Sequence, residues 1–177
     1  MQLVPWRLIA DWRCVACGDC CRLFSVVISF HEWLRIVRDF GVEHTASGVN
    51  KLFIRRKNDG SCAFLQEGSG ACVCSLQQRY MKPKACQLWP FQVLTKPRFG
   101  YAKDSLYNYG SNELFIYADP MCNGLRYGSP GLEFAGSTLK EFVEIAVGLR
   151  SSQLKTTSRY VFPQYGRLAT VNRRKRF

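Results

Sequence analysis

Four cysteines stand within eight residues near the start of the chain, in the pattern Cys14-x-x-Cys17-x-x-Cys20-Cys21. Two-residue spacers allow successive sulfurs to converge on one centre, and Gly18 gives the turn between them backbone freedom. Thiolates at this spacing suit tetrahedral zinc or an iron–sulfur cluster. Three cysteines spaced two residues apart are also typical of ferredoxin-type cubane clusters, which a more distant cysteine completes. The motif therefore predicts metal binding and leaves the metal open.

The chain has nine cysteines in all, and the other five lie near glycine or proline, in stretches that can present a ligand. They are Cys62, Cys72, Cys74, Cys86 and Cys122. An odd number of cysteines cannot pair completely, and a bridge between the neighbours Cys20 and Cys21 would be strained. Residues 1–10 lack the apolar run of a secretory signal, so we expect a cytoplasmic protein. In that reducing compartment, dense cysteine indicates metal ligation more often than disulfides.

The cysteines and their neighbours also resemble a known family. The matching segments are Cys14-x-x-Cys17-Gly18-x-Cys20-Cys21, Cys62-x-Phe64-Leu65, Cys74, Pro83-x-x-Cys86, Trp89-Pro90 and Cys122-x-Gly124. This series resembles the CxxCxxCC cysteine-cluster family, also called the YkgJ family, which is described as zinc- or iron-chelating. The resemblance covers roughly Arg13 to Gly124. The sequence departs from the family at Lys82 and Gln87, where arginine is usual.

The resemblance implies a set of eight metal ligands and leaves Cys72 outside it. The eight are Cys14, Cys17, Cys20, Cys21, Cys62, Cys74, Cys86 and Cys122. Eight thiolates could form two four-sulfur sites, or one cluster with spare thiols, and the sequence does not assign the partition. We expect an iron–sulfur cluster, with [4Fe–4S] favoured, and zinc as the alternative or companion metal.

The charge of the chain is strongly basic and unevenly distributed. Its 25 lysines and arginines exceed its 13 acidic residues by 12, and eight cations with no acid follow Glu144. A second acid-free stretch, from Gly68 to Lys103, holds six cations. This asymmetry predicts a polyanionic partner, with RNA or a ribonucleoprotein such as the ribosome ahead of an anionic membrane. A merely solvated surface is the simpler alternative.

The candidate phosphate-binding residues lie in the last part of the chain, where arginine dominates and suits bidentate phosphate contacts. They are Arg167, Arg173, Arg174, Lys175 and Arg176. A run of aromatic residues between Tyr101 and Tyr117, interleaved with Lys103, would suit single-stranded RNA if it formed an exposed sheet face. Burial of those aromatic side chains in a core is the favoured interpretation.

Two helices are predicted around the cysteine segments. Ser29 and Glu32 form a capping box for a helix that ends at Gly41. Thr138 and Glu141 predict the same kind of start for a second helix.

Strands are predicted at Leu23–Ile28, Lys51–Arg55 and Glu113–Ala118, and a short helix at Ser75–Met81. The expected fold is α+β: a small metal-stabilised domain with few regular elements and a basic C-terminal extension. We place the cysteine-cluster metal-binding domain at residues 1–150 and the extension at residues 151–177.

The function that these patterns favour is a structural, non-catalytic metal-binding protein that binds RNA or a ribonucleoprotein. The alternative is an iron–sulfur-dependent enzyme, either redox or protein-lysine methylase-like, because the flagellin-lysine methylases carry a similar cysteine cluster. A metal carrier or redox relay is a third possibility. No nucleophile–base constellation stands out, so no catalytic residue is assigned. No stretch approaches the roughly 18 apolar residues that span a bilayer, so no membrane partner is expected.

Overall fold

The computed structural model describes residues 2–68 and 70–153, in which short antiparallel strands alternate with five α-helices. The helices are α1 (Asp19–Leu23), α2 (Phe30–Phe40), α3 (Lys84–Leu88), α4 (Ala102–Ser105) and α5 (Leu139–Val147). The strands are β1 (Val4–Pro5), β2 (Ile9–Trp12), β3 (Val27–Ile28), β4 (Thr45–Ser47), β5 (Leu52–Ile54), β6 (Leu65–Gly68), β7 (Ala71–Cys74), β8 (Phe91–Leu94), β9 (Leu106–Tyr109), β10 (Asn112–Ala118) and β11 (Leu125–Tyr127). The predicted α+β class is confirmed.

Strand β10 organises the largest sheet. Its first half pairs with β9, its second half pairs with β8, and its last two residues pair with β1, all antiparallel. A three-stranded sheet has β5 between β3 and β4, and two separate ladders join β2 to β11 and β6 to β7. These two ladders carry or border most of the cysteine segments.

Helix α2 forms as its sequence predicts. The Ser29 hydroxyl accepts a hydrogen bond from the Glu32 amide at 3.3 Å, and the Glu32 carboxylate accepts one from the Ser29 amide at 2.7 Å. This reciprocal capping satisfies two amides that the first helical turn leaves unpaired. Ile36 is the buried residue of the helix, and Gly41 follows its last turn.

The capping box predicted at Thr138 is wrong. Thr138 has helical dihedrals, φ −67° and ψ −53°, and its side chain makes no capping hydrogen bond. The reason is that a π-helical turn, Phe134–Thr138, runs into α5 without a break, so Thr138 lies inside a helical segment.

The strands predicted at Lys51–Arg55 and Glu113–Ala118 are confirmed as β5 and β10. The other two predicted elements are shorter than expected. Strand β3 covers only the last two residues of Leu23–Ile28, because Leu23 completes the helical turn that begins after Gly18. The predicted helix at Ser75–Met81 is one 3₁₀ turn, Gln77–Arg79, which ends where Tyr80 takes a left-handed φ of 54°.

Buried apolar side chains form two clusters. Cluster A, built on β2, β8, β10 and α5, comprises Trp6, Ile9, Trp12, Phe91, Leu114, Ile116, Ala118, Phe134, Leu139, Phe142 and Val143. Cluster B, built around α2, β3 and β5, comprises Ile28, Ile36, Ile54, Cys62, Phe64, Leu65, Leu76 and Met81. Two small cores bury less apolar surface than one large core would. A cross-link between them would therefore add stability.

Residues 154–177 lie outside the described residues, and with them Arg167, Arg173, Arg174, Lys175 and Arg176. The division into residues 1–150 and 151–177 therefore stays a prediction. In residues 2–68 and 70–153, no helix is long and apolar enough to cross a bilayer.

Candidate metal centre

The opening motif folds as a loop followed by a helical turn. Cys14 and Cys17 lie in the loop after β2, and Cys20 and Cys21 lie on α1. Gly18 joins the two parts with a left-handed φ of 79°. A side chain at Gly18 would also bring its Cβ to 2.7 Å from the Cys72 Cβ, so only glycine permits this approach. The motif thus turns back on itself within eight residues and meets β7.

Backbone pairing brings the central cysteines to this motif. The Cys62 amide donates a hydrogen bond to the Cys21 carbonyl at 2.8 Å, and the Cys72 amide donates one to the Ala16 carbonyl at 2.8 Å. Cys72 and Cys74 point to the same face of β7, because side chains alternate along a strand.

The last two cysteines arrive from distant parts of the chain. Cys86 lies on α3, and Cys122 lies in the turn between β10 and β11. The Arg13 amide donates to the Gly124 carbonyl at 3.0 Å, and the Trp12 indole N–H donates to the Cys122 sulfur at 3.3 Å. The pairing of β2 with β11 therefore fixes Cys122 beside the opening motif.

All nine cysteines line one cavity of about 300 Å³. Its walls include Trp12 of cluster A and Ile54 of cluster B, so the cavity lies between the two apolar clusters. The eight residues that the family resemblance implies as ligands are brought together here, with Cys72 beside them. Their role as ligands stays a prediction. Neither His31 nor His44 lines the cavity.

The donor set fits zinc or iron, because thiolates are the soft ligands that select zinc and iron–sulfur clusters. The Cys20 and Cys21 sulfurs are 4.0 Å apart. Within residues 2–68 and 70–153, however, no three ligand-type side chains already meet closely enough to hold one metal ion.

Burial raises the pKa of most cavity thiols. It is the largest effect at Cys14, Cys17, Cys62, Cys74, Cys86 and Cys122. The Cys20–Cys21 pair differs, because a hydrogen bond from Cys21 lowers the pKa of Cys20 to about 7 and raises that of Cys21. Without metal, seven of the eight predicted ligands therefore hold their protons at neutral pH.

We expect metal binding to expel these protons. At about pH 6, Zn²⁺ added to the metal-free protein should release about four protons for each four-thiolate site filled, and the apparent affinity should rise with pH. Protons are released because the thiol pKa values lie above the working pH, and a protonated thiol must lose its proton to bind metal. Titration in weak buffer with a pH electrode measures the release. One proton or fewer per zinc would show that these thiols are not the ligands.

Three further residues lie beside the cysteines, and the sequence did not predict this role for Arg22 or Lys82. The Trp12 indole reaches Cys122, and the Arg22 guanidinium donates to the Cys72 sulfur at 3.3 Å. Lys82 lines the cavity, and its charge lowers the pKa of Cys14 and Cys74 against the larger effect of burial. The only signal in the sequence was proximity, because each of the three lies within four residues of a cysteine.

Gly124 holds the Cys122 turn against the opening motif, and we expect Gly124→Ala to destabilise the protein. An added Cβ would collide with the Arg13 carbonyl oxygen and displace the backbone that carries Cys122. Overpacking of this kind costs about 1–3 kcal/mol. Gly136→Ala is the matched control, because a Cβ there meets nothing within 4 Å. Chemical denaturation of both variants measures the difference, and equal stability would contradict the proposed contact.

The described residues include two of the features that predicted RNA binding, the aromatic run and the acid-free stretch. Most of the aromatic run is packed, as the sequence analysis favoured, with Tyr117 fully buried and Tyr107 against cluster A, whereas Tyr101 is exposed. Within the acid-free stretch, Arg79 stacks over the Phe40 ring at 4.8 Å and the Lys84 ammonium donates to the Ala146 carbonyl at 2.9 Å.

Three further cations of the stretch lie at the surface, on a segment that we call the basic loop (residues 96–103). Lys96, Arg98 and Lys103 are exposed, and Tyr101 between them is 56% exposed.

Comparison with known proteins gives one match. A model of the CxxCxxCC family, described as a "putative zinc- or iron-chelating domain", matches residues 13–123. This range contains all nine cysteines that line the cavity. No curated protein and no solved structure matches the chain significantly.

Proposed function

The chain belongs to the CxxCxxCC family of zinc- or iron-chelating domains, and from this premise we propose that its cysteine cavity holds a structural iron–sulfur centre in an RNA-binding protein. The observation that carries the metal proposal is the convergence of eight family cysteines on one cavity between two apolar clusters. The residues that would hold the metal are Cys14, Cys17, Cys20, Cys21, Cys62, Cys74, Cys86 and Cys122. A bound centre would supply thiolate cross-links between the segments that carry these cysteines.

The size of the cavity favours a cluster over a lone zinc ion. A cavity of about 300 Å³ is roughly ten times the 30 Å³ that a water molecule takes in the liquid. Zinc in a four-thiolate site contacts its sulfurs at about 2.3 Å and leaves no such space. An iron–sulfur cluster has a core of several atoms and would fill more of this space.

A structural role follows from where the cavity lies. Trp12 and the Cys14 and Cys122 thiols belong to or pack against cluster A, whereas Cys62 belongs to cluster B and Cys21 and Cys74 pack against it. Metal held by these thiols would join the two clusters. The free energy of metal binding would then contribute to the free energy of folding.

Anaerobic purification followed by iron, sulfide and zinc analysis tests the metal proposal. We expect iron with acid-labile sulfide and a broad visible absorption. Stoichiometric zinc without iron would show that the centre is a zinc site rather than an iron–sulfur cluster, and the structural role would stand. A purified protein that folds with neither metal would overturn the proposal.

The RNA-binding proposal rests on charge. The chain carries a net charge of +12, and eight of its cations follow Glu144 with no acid among them. In the described part, the exposed basic loop adds a second cationic surface. Clustered cations of this kind bind phosphates through counterion release, with little dependence on sequence.

Nucleic acid that co-purifies at low salt and dissociates at high salt would support the RNA-binding proposal. Its identification by nuclease digestion separates RNA from DNA. Protein that remains free of nucleic acid in low-salt lysate, and that binds no added single-stranded RNA, would overturn it.

A further inference from the structure

We infer that the eight thiols form two separate four-sulfur centres that meet at the Cys20–Cys21 pair. The first centre comprises Cys14, Cys17, Cys20 and Cys122, and the second comprises Cys21, Cys62, Cys74 and Cys86. This inference rests on the proposed metal centre and deepens it by assigning each thiol to a site. Each set would take one zinc ion or one cubane iron–sulfur cluster.

The first set is assembled on cluster A. Cys14 and Cys122 both pack against this cluster, and the Trp12 indole donates to the Cys122 sulfur at 3.3 Å. The paired residues Trp12 and Leu125 hold the two cysteine segments side by side.

The spacing of the first set supports the same assignment. Cys14, Cys17 and Cys20 follow one another with two-residue spacers. A run of this kind supplies three ligands to one cubane, and a distant cysteine supplies the fourth. Cys122 is the distant cysteine that the structure places beside this run.

The second set is assembled on cluster B. Cys62 belongs to this cluster with only 6% exposure, and Cys21 and Cys74 pack against it. The Cys62 amide donates to the Cys21 carbonyl at 2.8 Å, and the Leu65 amide donates to the Cys62 carbonyl at 3.0 Å. Leu65 is also the strand partner of Cys74, so these three cysteines are tied to one another by backbone contacts.

Cys86 completes the second set from α3. Helix α3, which carries Cys86, contacts strand β3 of cluster B as well as α5. Cys72 lies in neither set, because the Arg22 guanidinium donates to its sulfur and its Cβ packs against Gly18.

Helix geometry explains how neighbouring cysteines can serve different centres. Consecutive residues of an α-helix project about 100° apart around its axis, since a turn contains 3.6 residues. Cys20 and Cys21 therefore face different directions from α1, although their sulfurs are only 4.0 Å apart. Two centres joined at this pair would share one cavity and one short helix.

Metal content of paired variants tests the partition. Cys122→Ala and Cys86→Ala should each remove about half of the metal that the wild-type protein holds. The double variant Cys14→Ala/Cys122→Ala, within one set, should lose no more than Cys122→Ala alone. The double variant Cys86→Ala/Cys122→Ala, across the sets, should lose nearly all. Cys72→Ala is the matched control and should keep the full content. Circular dichroism verifies that each variant is folded.

The outcomes separate this inference from the proposed function. Wild-type protein with the metal of a single four-thiolate centre would overturn the partition and leave the metal proposal intact, and this result needs no variant to fold. A folded single variant that loses all of its metal, or a within-set double variant that loses as much as the cross-set variant, would also overturn the partition. Folded wild-type protein without metal would overturn both.

Discussion

Cys86→Ser and Cys17→Ser should each lower the metal content of the protein and destabilise its fold, whereas Cys72→Ser should leave both nearly unchanged. Cys17 and Cys86 belong to the predicted ligand set, and loss of a thiolate weakens a structural metal whose binding is worth on the order of 10 kcal/mol in zinc-finger peptides. Cys72 lines the same cavity, but its sulfur is engaged by the Arg22 guanidinium at the surface. A hydrogen bond in an exposed position contributes little to stability.

Elemental analysis and urea unfolding of the three variants measure both effects. Cys72→Ser is the matched control, because it changes the same type of side chain in the same cavity. Equal loss of metal in all three variants would show that Cys72 is a ligand and that the predicted set is wrong. Unchanged metal in Cys17→Ser and Cys86→Ser would exclude those two thiols from ligation.

Removal of the four consecutive cations at the end of the chain should weaken RNA binding for unrelated sequences alike. The change is Arg173→Gln, Arg174→Gln, Lys175→Gln and Arg176→Gln together, which keeps the length of the chain. Each phosphate contact adds about −0.7 to −0.9 to the slope of log affinity against log salt. The slope should therefore flatten by roughly 2 to 4 if most of these cations engage phosphates. Metal content should not change, since none of the predicted ligands lies beyond Cys122.

Affinity for two unrelated single-stranded RNAs, measured between low and physiological salt, provides the readout. The comparison variant neutralises the basic loop through Lys96→Gln, Arg98→Gln and Lys103→Gln. An unchanged slope in the first variant with a flattened slope in the second would move the RNA contact to the basic loop. Unchanged affinity and slope in both variants would contradict phosphate binding by either surface.

Features encoded by neighbouring residues were predictable from the sequence. The capping box at Ser29 and Glu32 is confirmed, because both hydrogen bonds join residues three apart and need no tertiary contact. The same pattern failed at Thr138, because the helical turn before it removes the free helix start that a capping box requires. The local pattern cannot distinguish these two contexts.

The sequence predicted which cysteines line the candidate centre, but it did not predict how the structure arranges them. The two-residue spacers of the opening motif indicated metal, and the family resemblance supplied the distant cysteines. The approach of Cys122 to the opening motif depends on the pairing of β2 with β11, and the approach of Cys62 to Cys21 includes a backbone hydrogen bond between the two residues. These contacts join segments that are distant in sequence, so no periodicity or spacing encodes them. The roles of Trp12, Arg22 and Lys82 beside the thiols depend on the same tertiary contacts.

Thermal unfolding of the protein with and without its metal tests most directly whether metal bound by the cavity thiols joins clusters A and B. Near-ultraviolet circular dichroism reports the packing of Trp12, which lies in cluster A beside Cys122. The metal should be removed by a chelator under anaerobic, reducing conditions and then restored. We expect the metal-loaded protein to unfold in one cooperative transition, the metal-free protein to lose that transition and its near-ultraviolet signal, and restored metal to return both. A metal-free protein that keeps the same signal and the same transition, with its nine thiols reduced, would contradict a structural metal centre.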